Sequence, residues 1–191
     1  MNIKSERKDA RRAAARHTRM LCLAALLAAL SFLLGWLAKS IQGEAPVRIT
    51  LEGLPIVFAA LSLGPFYGAG AAVVADLLSC LLAGMAPLPL ITAGAGCIGL
   101  IPGVLSLLLR RRVSEPPRFF SLLAFDGVAH LVGSVLLKSY ALSHYYGLDF
   151  LLTLLARLPV YCGVILVESY LLYILLRSSA VRRELERQVL K

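Results

Sequence analysis

The stretch RITLEGLPIVFAALSLGPFYG, residues 48–68, joins a polar segment of the chain directly to an apolar one. In residues 48–52 polar and apolar side chains alternate, which predicts a short extended segment. Residues 54–63 are almost continuously apolar and predict a helix that stops at Gly64. A helix of about ten residues reaches only about 15 Å, so this one is short, broken or continued past the glycine. The junction between the two segments is where we expect a ligand to reach the protein.

The whole chain is far more apolar than a soluble domain. Of its 191 residues 59% are hydrophobic and the mean hydropathy is +0.78, whereas soluble domains average about 45–50% apolar residues. Several apolar runs approach or exceed the ~18 residues that a membrane-spanning helix needs. The sequence therefore predicts an integral membrane protein with one membrane domain.

The net charge of +9 is concentrated outside the apolar runs. Most of the twenty Lys and Arg residues lie in three blocks, at residues 4–19, 110–118 and 177–191. Short basic segments next to membrane helices stay in the cytoplasm, so both termini are predicted to be cytoplasmic. Nucleic acid is not an expected partner, because no aromatic residues interleave with these charges.

Six apolar segments fit membrane helices, at residues 20–38, 54–63, 68–82, 90–109, 119–143 and 150–176. We therefore predict an all-α membrane protein with six transmembrane helices in one bundle and a short extended segment in the first outer loop. The predicted divisions are a basic cytoplasmic arm, the six-helix transmembrane domain and a basic cytoplasmic tail, at residues 1–19, 20–177 and 178–191. The arm either continues the first helix or lies on anionic headgroups.

Four basic residues lie outside the three blocks, namely Lys39, Arg48, Lys138 and Arg157. The last two fall within apolar runs, where a Lys or Arg costs about 2.5–3.5 kcal/mol to insert. Two explanations remain open for them. In the first, they form structural ion pairs with Asp76, Asp126 or Glu168. In the second, they line the bottom of a pocket and bind an anionic ligand that enters from outside.

Polar side chains also share a face on the sixth predicted helix. The residues on this face are Arg157, Tyr161 and Glu168, since offsets of 4 and 11 residues return to nearly the same angle around the helix. Along the helix axis Arg157 and Glu168 are about 16 Å apart. These two charged residues therefore cannot pair with each other directly.

On the fifth predicted helix, His130, Ser134 and Lys138 follow one another at offsets of four. A single histidine in such a helix is either a packing residue or a ligand-binding one. The sequence has no second histidine at ligand spacing and no CxxC pair among its four cysteines. It therefore predicts no metal site.

Motifs for catalysis are missing from the sequence. It has no GxSxG turn, no HExxH helix, no closely spaced Asp pair and no GxxxxGK[ST] phosphate loop. We therefore expect no enzymatic activity and no cofactor. Energy for any uphill transport must then come from another chain.

Five stretches, taken together and in order, carry a resemblance to a known family. They are AALLAALS, RITLEGLPIVFAALSLGPFYGAGAAVVADLL, PLPLITAGAGCIGLIPG, HLVGSVLLKSYALSHYYG and ARLPVYCGVILVESYLLY, which begin at residues 24, 48, 87, 130 and 156. Over roughly residues 18–177 the chain resembles the substrate-binding S component of energy-coupling factor (ECF) vitamin transporters. The resemblance is closest to the folate-specific branch.

The resemblance implies a protein of the bacterial cytoplasmic membrane that binds a vitamin, here folate, from outside the cell. It also implies partners, namely a transmembrane coupling subunit and two cytoplasmic ATPase subunits that hydrolyse the ATP. In this family the small residues of the first helix dock the coupling subunit. That surface maps onto Ala25 and Ala29, with Ala24 and Ala28 adjacent.

The resemblance also implies that outer loops gate the pocket, at residues 48–52, 87–92 and 144–147. Combined with the polar residues of the apolar runs, the expected vitamin-binding residues are Arg48, Glu52, Asp76, Pro89, Thr92, His130, Lys138, Arg157, Tyr161 and Glu168. Folate fits this set, because a pteridine with a dianionic tail suits aromatic rings beside basic side chains. Gly53 and Leu88 stand where the family commonly has polar residues, which bears on the identity of the vitamin.

Three alternatives remain open. The protein binds a different anionic or heterocyclic vitamin, or it is a lipid-modifying intramembrane enzyme that uses Asp76, His130 and Glu168. In the third alternative it is a non-transporting scaffold, in which residues 24–29 form only a packing seam.

Overall fold

The computed structural model describes residues 3–42, 49–84, 86–110 and 118–179 together with residues 181 and 183. Within these ranges every regular element is helical, which confirms the predicted all-α class. The elements are α1 (Ile3–Gln42), α2 (Gly53–Leu63), α3 (Pro65–Leu82), α4 (Pro89–Arg110), α5 (Phe119–His130), a π-helical section (Leu131–Leu137), α6 (Lys138–Tyr146) and α7 (Phe150–Arg177).

Five helical stretches of the described chain are long and apolar enough to cross a membrane. They lie at Arg11–Ala38, Pro65–Leu82, Pro89–Leu109, Phe119–Tyr146 and Phe150–Arg177. The shorter apolar helix α2, Gly53–Leu63, lies between the first and second of them. These segments coincide with the six predicted helices, including the short second one.

The basic N-terminal arm continues the first helix. α1 contains 40 residues in one uninterrupted helix, which corresponds to about 60 Å, or twice the ~30 Å of a bilayer core. Side chains of residues 11–19 are exposed. Of the two predicted arrangements for this arm, the structure therefore shows the helical continuation.

The junction ahead of α2 is not a strand. Residues 49–51 have no regular secondary structure, and Glu52 already has helical dihedral angles, φ −64° and ψ −23°. The Glu52 carbonyl oxygen accepts a hydrogen bond from the Ser31 hydroxyl of α1 at 2.6 Å. The alternation of side chains in residues 49–52 is therefore not accompanied by pairing in a sheet.

A single residue separates α2 from α3. Gly64 has φ 114° and ψ 166°, a backbone conformation that side chains disfavour. Pro65 follows as the first residue of α3, where its missing N–H is not needed. The turn predicted over residues 64–68 is therefore much tighter than expected, and α3 begins three residues earlier.

α2 begins inside the bundle instead of at its end. Its first residue, Gly53, lies so close to α5 and α7 that an added β-carbon would sit 2.8 Å from His130 Nε2 and from Glu168 Oε2. His130 is near the middle of the Phe119–Tyr146 span. Because its 11 residues cover only about 16 Å, α2 crosses about half of the bundle. α4 and α7 both begin at one end of the bundle. We call this end the Glu52 end.

Two faces of α1 are used differently. Ala24 and Ala28 are 8% and 2% exposed and pack inward, with Ala24 in a cluster with Ala59 and Leu63 of α2. Ala25 and Ala29, one position further along, are exposed. These four alanines therefore divide into an internal pair and an external pair.

The fifth span is continuous over Phe119–Tyr146, but its middle seven residues are π-helical. Gly133 of this section meets Gly94 of α4 so closely that a β-carbon on Gly94 would lie 2.7 Å from the Gly133 carbonyl oxygen. Such wide turns are frequent at functional sites of helices. The apolar run predicted a regular helix here, because hydropathy does not report the wider i→i+5 turns of a π-helix.

Glycines also bring α3 and α4 into backbone contact. A β-carbon on Gly68 would lie 2.5 Å from the β-carbon of Ala60 and 2.7 Å from the carbonyl oxygen of Gly99. Gly70, two residues along the same helix, has nothing within 4 Å of that position. Only the first of these glycines is required by close packing.

We therefore predict that Gly68→Ala destabilises the protein, because an overpacked interior typically costs about 1–3 kcal/mol. Gly70→Ala is the matched control and should be neutral or slightly stabilising, since alanine favours a helix. Thermal unfolding of the detergent-solubilised variants measures the difference. Equal unfolding temperatures for both variants would contradict the close contact at Gly68.

Candidate functional site

The start of α2 is capped by a carboxylate from α7. The Leu54 N–H donates a hydrogen bond to Glu168 Oε1 at 3.1 Å, and the Glu168 side chain is completely buried. The first N–H groups of a helix have no partner within the helix, and there is no water in an apolar interior to replace one. Glu168 supplies such a partner beside the Leu51 carbonyl oxygen, to which the Leu54 N–H also donates at 3.2 Å. The negative charge of Glu168 suits the helix dipole.

The second oxygen of Glu168 reaches a buried histidine. Glu168 Oε2 lies 2.8 Å from His130 Nε2, and His130 Nδ1 lies 3.1 Å from the hydroxyl of Ser134. His130 is 3% exposed. Both nitrogens of the imidazole ring therefore have polar partners, one on α7 and one on the π-helical section.

Asp126 completes this group from one helical turn before His130. Its Oδ1 atom lies 3.6 Å from His130 Nε2, and its Oδ2 atom accepts a hydrogen bond from the Ser169 hydroxyl at 3.1 Å. One ligand-type atom from each of Asp126, His130 and Glu168 lies within 4.8 Å of the others, and all three residues are buried. We call these three residues the acid–histidine cluster.

A charged pair lies next to this cluster at the Glu52 end. Lys138 Nζ is 3.8 Å from Glu52 Oε1, and the two side chains are 14% and 33% exposed. Gly94 of α4 faces the same lysine, since a β-carbon there would lie 3.3 Å from Lys138 Cγ. Glu52 immediately precedes Gly53, so the pair and the cluster are adjacent along the chain.

Arg157 and Tyr161 extend the site along α7. Arg157 donates a hydrogen bond from Nη1 to the carbonyl oxygen of Ser134 at 2.8 Å. The ring of Tyr161 has its centre 5.5 Å from that of His130. The same face of α7 that the sequence predicted therefore meets the fifth span, with Glu168 further along.

A third polar contact joins α3 to α4. The Thr92 hydroxyl donates a hydrogen bond to Asp76 Oδ2 at 2.7 Å. Asp76 is partly buried and lies on a different helix from the acid–histidine cluster. An intramembrane enzyme that uses Asp76 with His130 and Glu168 is therefore not supported by this pairing.

The predicted vitamin-binding residues thus fall into separate groups. Contacts link Glu52 with Lys138, Asp76 with Thr92, and His130 with Glu168 and Tyr161, while Arg157 bonds to the π-helical section. Pro89 is exposed at the start of α4. Arg48 lies outside the described residues. The vitamin-binding role of all of them stays a prediction.

Sequence reasoning left Asp126, Gly53, Ser134 and Ser169 out of the site. The spacing of Asp126 and His130, one helical turn apart, was a usable signal. The approach of α2 and α7 to that turn depends on tertiary packing, which no local pattern reports. The ion-pair partner of Lys138 is Glu52, and not one of the three acidic residues that the sequence suggested.

Comparison with family models identifies the family of this chain. The model of the ECF transporter substrate-specific component matches residues 19–178. The chain belongs to this family. A comparison with curated proteins finds no match to this sequence.

Membership assigns the general role of the protein. ECF substrate-specific components are transport subunits and not enzymes, so this S component is the substrate-binding subunit of a vitamin-type transporter. It works as a multi-pass protein in a bilayer together with partner ECF subunits. The acid–histidine cluster is thus a feature of a transport protein.

We predict that Glu168→Ala strongly destabilises this S component. The substitution removes the carboxylate that accepts from the Leu54 N–H and contacts His130 Nε2, so that the N–H keeps only its 3.2 Å bond to the Leu51 carbonyl oxygen. Breaking a buried charged contact typically costs about 3–5 kcal/mol. Glu52→Ala is the matched control, because its pair with Lys138 is partly exposed and such pairs contribute about 1 kcal/mol or less. Thermal unfolding in detergent compares the two, and a smaller effect at Glu168 than at Glu52 would contradict the capping role.

Proposed function

We propose that this S component captures folate at the outer face of a bacterial cytoplasmic membrane, for import by an ECF complex whose ATPase subunits supply the energy. The observation that carries the proposal is that two cations meet the same part of the fifth span. Arg157 of α7 bonds to the Ser134 carbonyl oxygen, and Lys138 lies four residues after Ser134 in the sequence. Two cations brought to one region suit the two carboxylates of a glutamate tail.

The pair between Lys138 and Glu52 is loose enough to exchange. At 3.8 Å it is an ionic contact that is longer than a hydrogen bond. A tail carboxylate that reaches Lys138 gains a charge-assisted hydrogen bond of about 2.7–2.9 Å. The incoming ligand thus replaces a weak contact of this lysine by a stronger one.

The pteridine ring of folate calls for different chemistry from its tail. It is flat and apolar on its faces, with N–H donors along one edge. An aromatic side chain suits the faces, and Tyr161 of α7, whose ring centre lies 5.5 Å from that of His130, is the aromatic member of the predicted set.

Purification of the protein, followed by absorbance and mass spectrometry of any co-eluting small molecule, tests the substrate directly. We expect a pterin-containing molecule and folate binding at submicromolar concentration. Absence of both would contradict the folate assignment. Recovery of another anionic vitamin would also contradict folate, while the role as a substrate-binding subunit would stand.

Lys138→Met should weaken folate binding by at least about tenfold, since a hydrogen bond to a charged group contributes about 1.5–3 kcal/mol. The matched control is Arg177→Met, which removes an exposed cation near the other end of α7 and should leave affinity unchanged. Equilibrium binding to folded protein in detergent measures both. Arg48→Ala should likewise lose binding with folding intact, and full affinity in both binding-site variants would contradict a cationic site for the tail.

The coupling subunit is proposed to dock on the external face of α1. Ala25 and Ala29 are exposed there, whereas Ala24 and Ala28 pack against α2 or adjacent side chains within the protein. Small residues on an exposed helix face permit close approach of another helix. The external pair is therefore the better candidate for docking, and the internal pair contributes to the fold.

We predict that Ala25→Leu combined with Ala29→Leu abolishes uptake while the solitary subunit still binds its vitamin. The larger side chains keep a partner helix away but meet no atoms inside the bundle. Ala124→Leu, at an exposed position of α5, is the control and should transport normally. Uptake into cells, measured beside binding to purified protein, separates the two effects, and normal uptake by the double variant would contradict docking at this face.

A further inference from the structure

We propose that the acid–histidine cluster is a binding site for one divalent ion of the first transition row, Mn²⁺ or Zn²⁺. The ligand atoms are Asp126 Oδ1, His130 Nε2 and Glu168 Oε2. They come from α5 and α7 and all lie within 4.8 Å of one another. This site is independent of the proposed folate function, which does not require a metal.

The distances between the ligand atoms suit a metal ion. Bonds of about 2.1 Å place neighbouring ligands about 3.0 Å apart at right angles and about 3.4 Å apart at the tetrahedral angle. His130 Nε2 lies 2.8 Å from Glu168 Oε2 and 3.6 Å from Asp126 Oδ1. The ligand-type oxygens of Asp126 and Glu168 lie within 4.8 Å of each other, and a rotation of the two side chains that brings these oxygens closer would complete the geometry.

The outer atoms of the same three side chains are already held in place. Ser134 Oγ lies 3.1 Å from His130 Nδ1, Ser169 donates to Asp126 Oδ2, and the Leu54 N–H donates to Glu168 Oε1. Metal-binding histidines typically use the second ring nitrogen in this way, and ligating carboxylates are hydrogen-bonded in the same manner. The inner atoms face one another, with His130 Nε2 and Glu168 Oε2 in direct contact at 2.8 Å, and a bound ion would take the place of the proton between these two atoms.

Asp126 Oδ1 gives independent support. Its residue is completely buried, yet among the described residues this oxygen has no hydrogen-bond partner. Buried polar atoms without partners are rare in folded proteins. The oxygen faces His130 Nε2 within the cluster, so an ion bound between them would supply the missing interaction.

Charge balance favours a divalent ion over a monovalent one. Two ionised carboxylates and a neutral imidazole carry a charge of −2, and isolated charges are expensive to bury in an apolar interior. One divalent cation neutralises this charge. Imidazole combined with carboxylate oxygen suits ions such as zinc and manganese better than magnesium, which prefers oxygen ligands alone.

Gly53 brings the start of α2 against the cluster. A β-carbon at this position would lie 2.8 Å from both His130 Nε2 and Glu168 Oε2, so any larger residue would crowd the ligand atoms on the side nearest α2. With three protein ligands, a metal ion retains at least one open coordination position.

The test uses the purified full chain, freed of metal with a chelator and titrated with Mn²⁺, Zn²⁺ or the spectroscopic probe Co²⁺ in the absence of vitamin. We expect one equivalent of ion and a Co²⁺ absorption spectrum typical of mixed nitrogen and oxygen ligands. Ser134→Ala should lower affinity by about 10–100-fold, the usual effect of losing a residue that orients a ligand. Asp126→Asn should lower it further.

Asp149→Asn is the matched control, because it alters an exposed acidic residue that caps the start of α7, and it should bind the ion like the unaltered protein. Folded, unaltered protein that takes up none of the three ions overturns the proposal, without need of any variant. Asp126→Asn protein that folds and binds as tightly as the unaltered protein also overturns it. Folate binding, measured separately, can succeed or fail independently of either result.

Discussion

Glu168 has to satisfy two neighbours that water cannot reach, the first turn of α2 and the imidazole of His130. One carboxylate oxygen accepts from the Leu54 N–H at 3.1 Å and the other lies 2.8 Å from His130 Nε2. A helix that starts inside an apolar bundle leaves N–H groups that each cost several kcal/mol if unsatisfied. The depth at which α2 begins is therefore tied to the height of Glu168 on α7. Half-length helices with their N-termini directed at negative groups are a general solution for membrane proteins that hold polar ligands.

Because α2 begins inside the bundle, small residues are needed at several positions in this helix and in its neighbours. The sequence alone gives no reason for small residues at these positions. Gly53 must approach the acid–histidine cluster, and Gly94 must approach the π-helical section and the stem of Lys138. Ala24 and Ala28 allow α1 to pack inward on the bundle. Side chains at these positions would separate the helices and expose the same N–H and carbonyl groups that close packing protects. Packing and polar contacts are thus parts of one constraint.

The sequence predicted the six apolar segments well, because length and hydropathy alone determine them. It also predicted the shared face of Arg157, Tyr161 and Glu168, which follows from helical periodicity. It did not predict the π-helical section or the tight turn at Gly64, since both depend on local backbone geometry. Nor did it associate Asp126 with the site, because three residues on two helices and the start of a third meet only after folding. The absence of a second histidine led sequence reasoning away from a metal, although two carboxylates can take its place.

Glu52 connects the vitamin-binding proposal to the helix that is proposed to dock the coupling subunit. Its side chain pairs with Lys138, its carbonyl oxygen accepts a hydrogen bond from Ser31 of α1 at 2.6 Å, and Gly53 follows it at the start of α2. A ligand that takes Lys138 away from Glu52 therefore changes the charge next to α1. Ser31 is buried on the inward face of that helix, while Ala25 and Ala29 are exposed. Because Ser31 and the external alanines lie on one uninterrupted helix, a displacement of that helix at Ser31 would be carried to the proposed docking face.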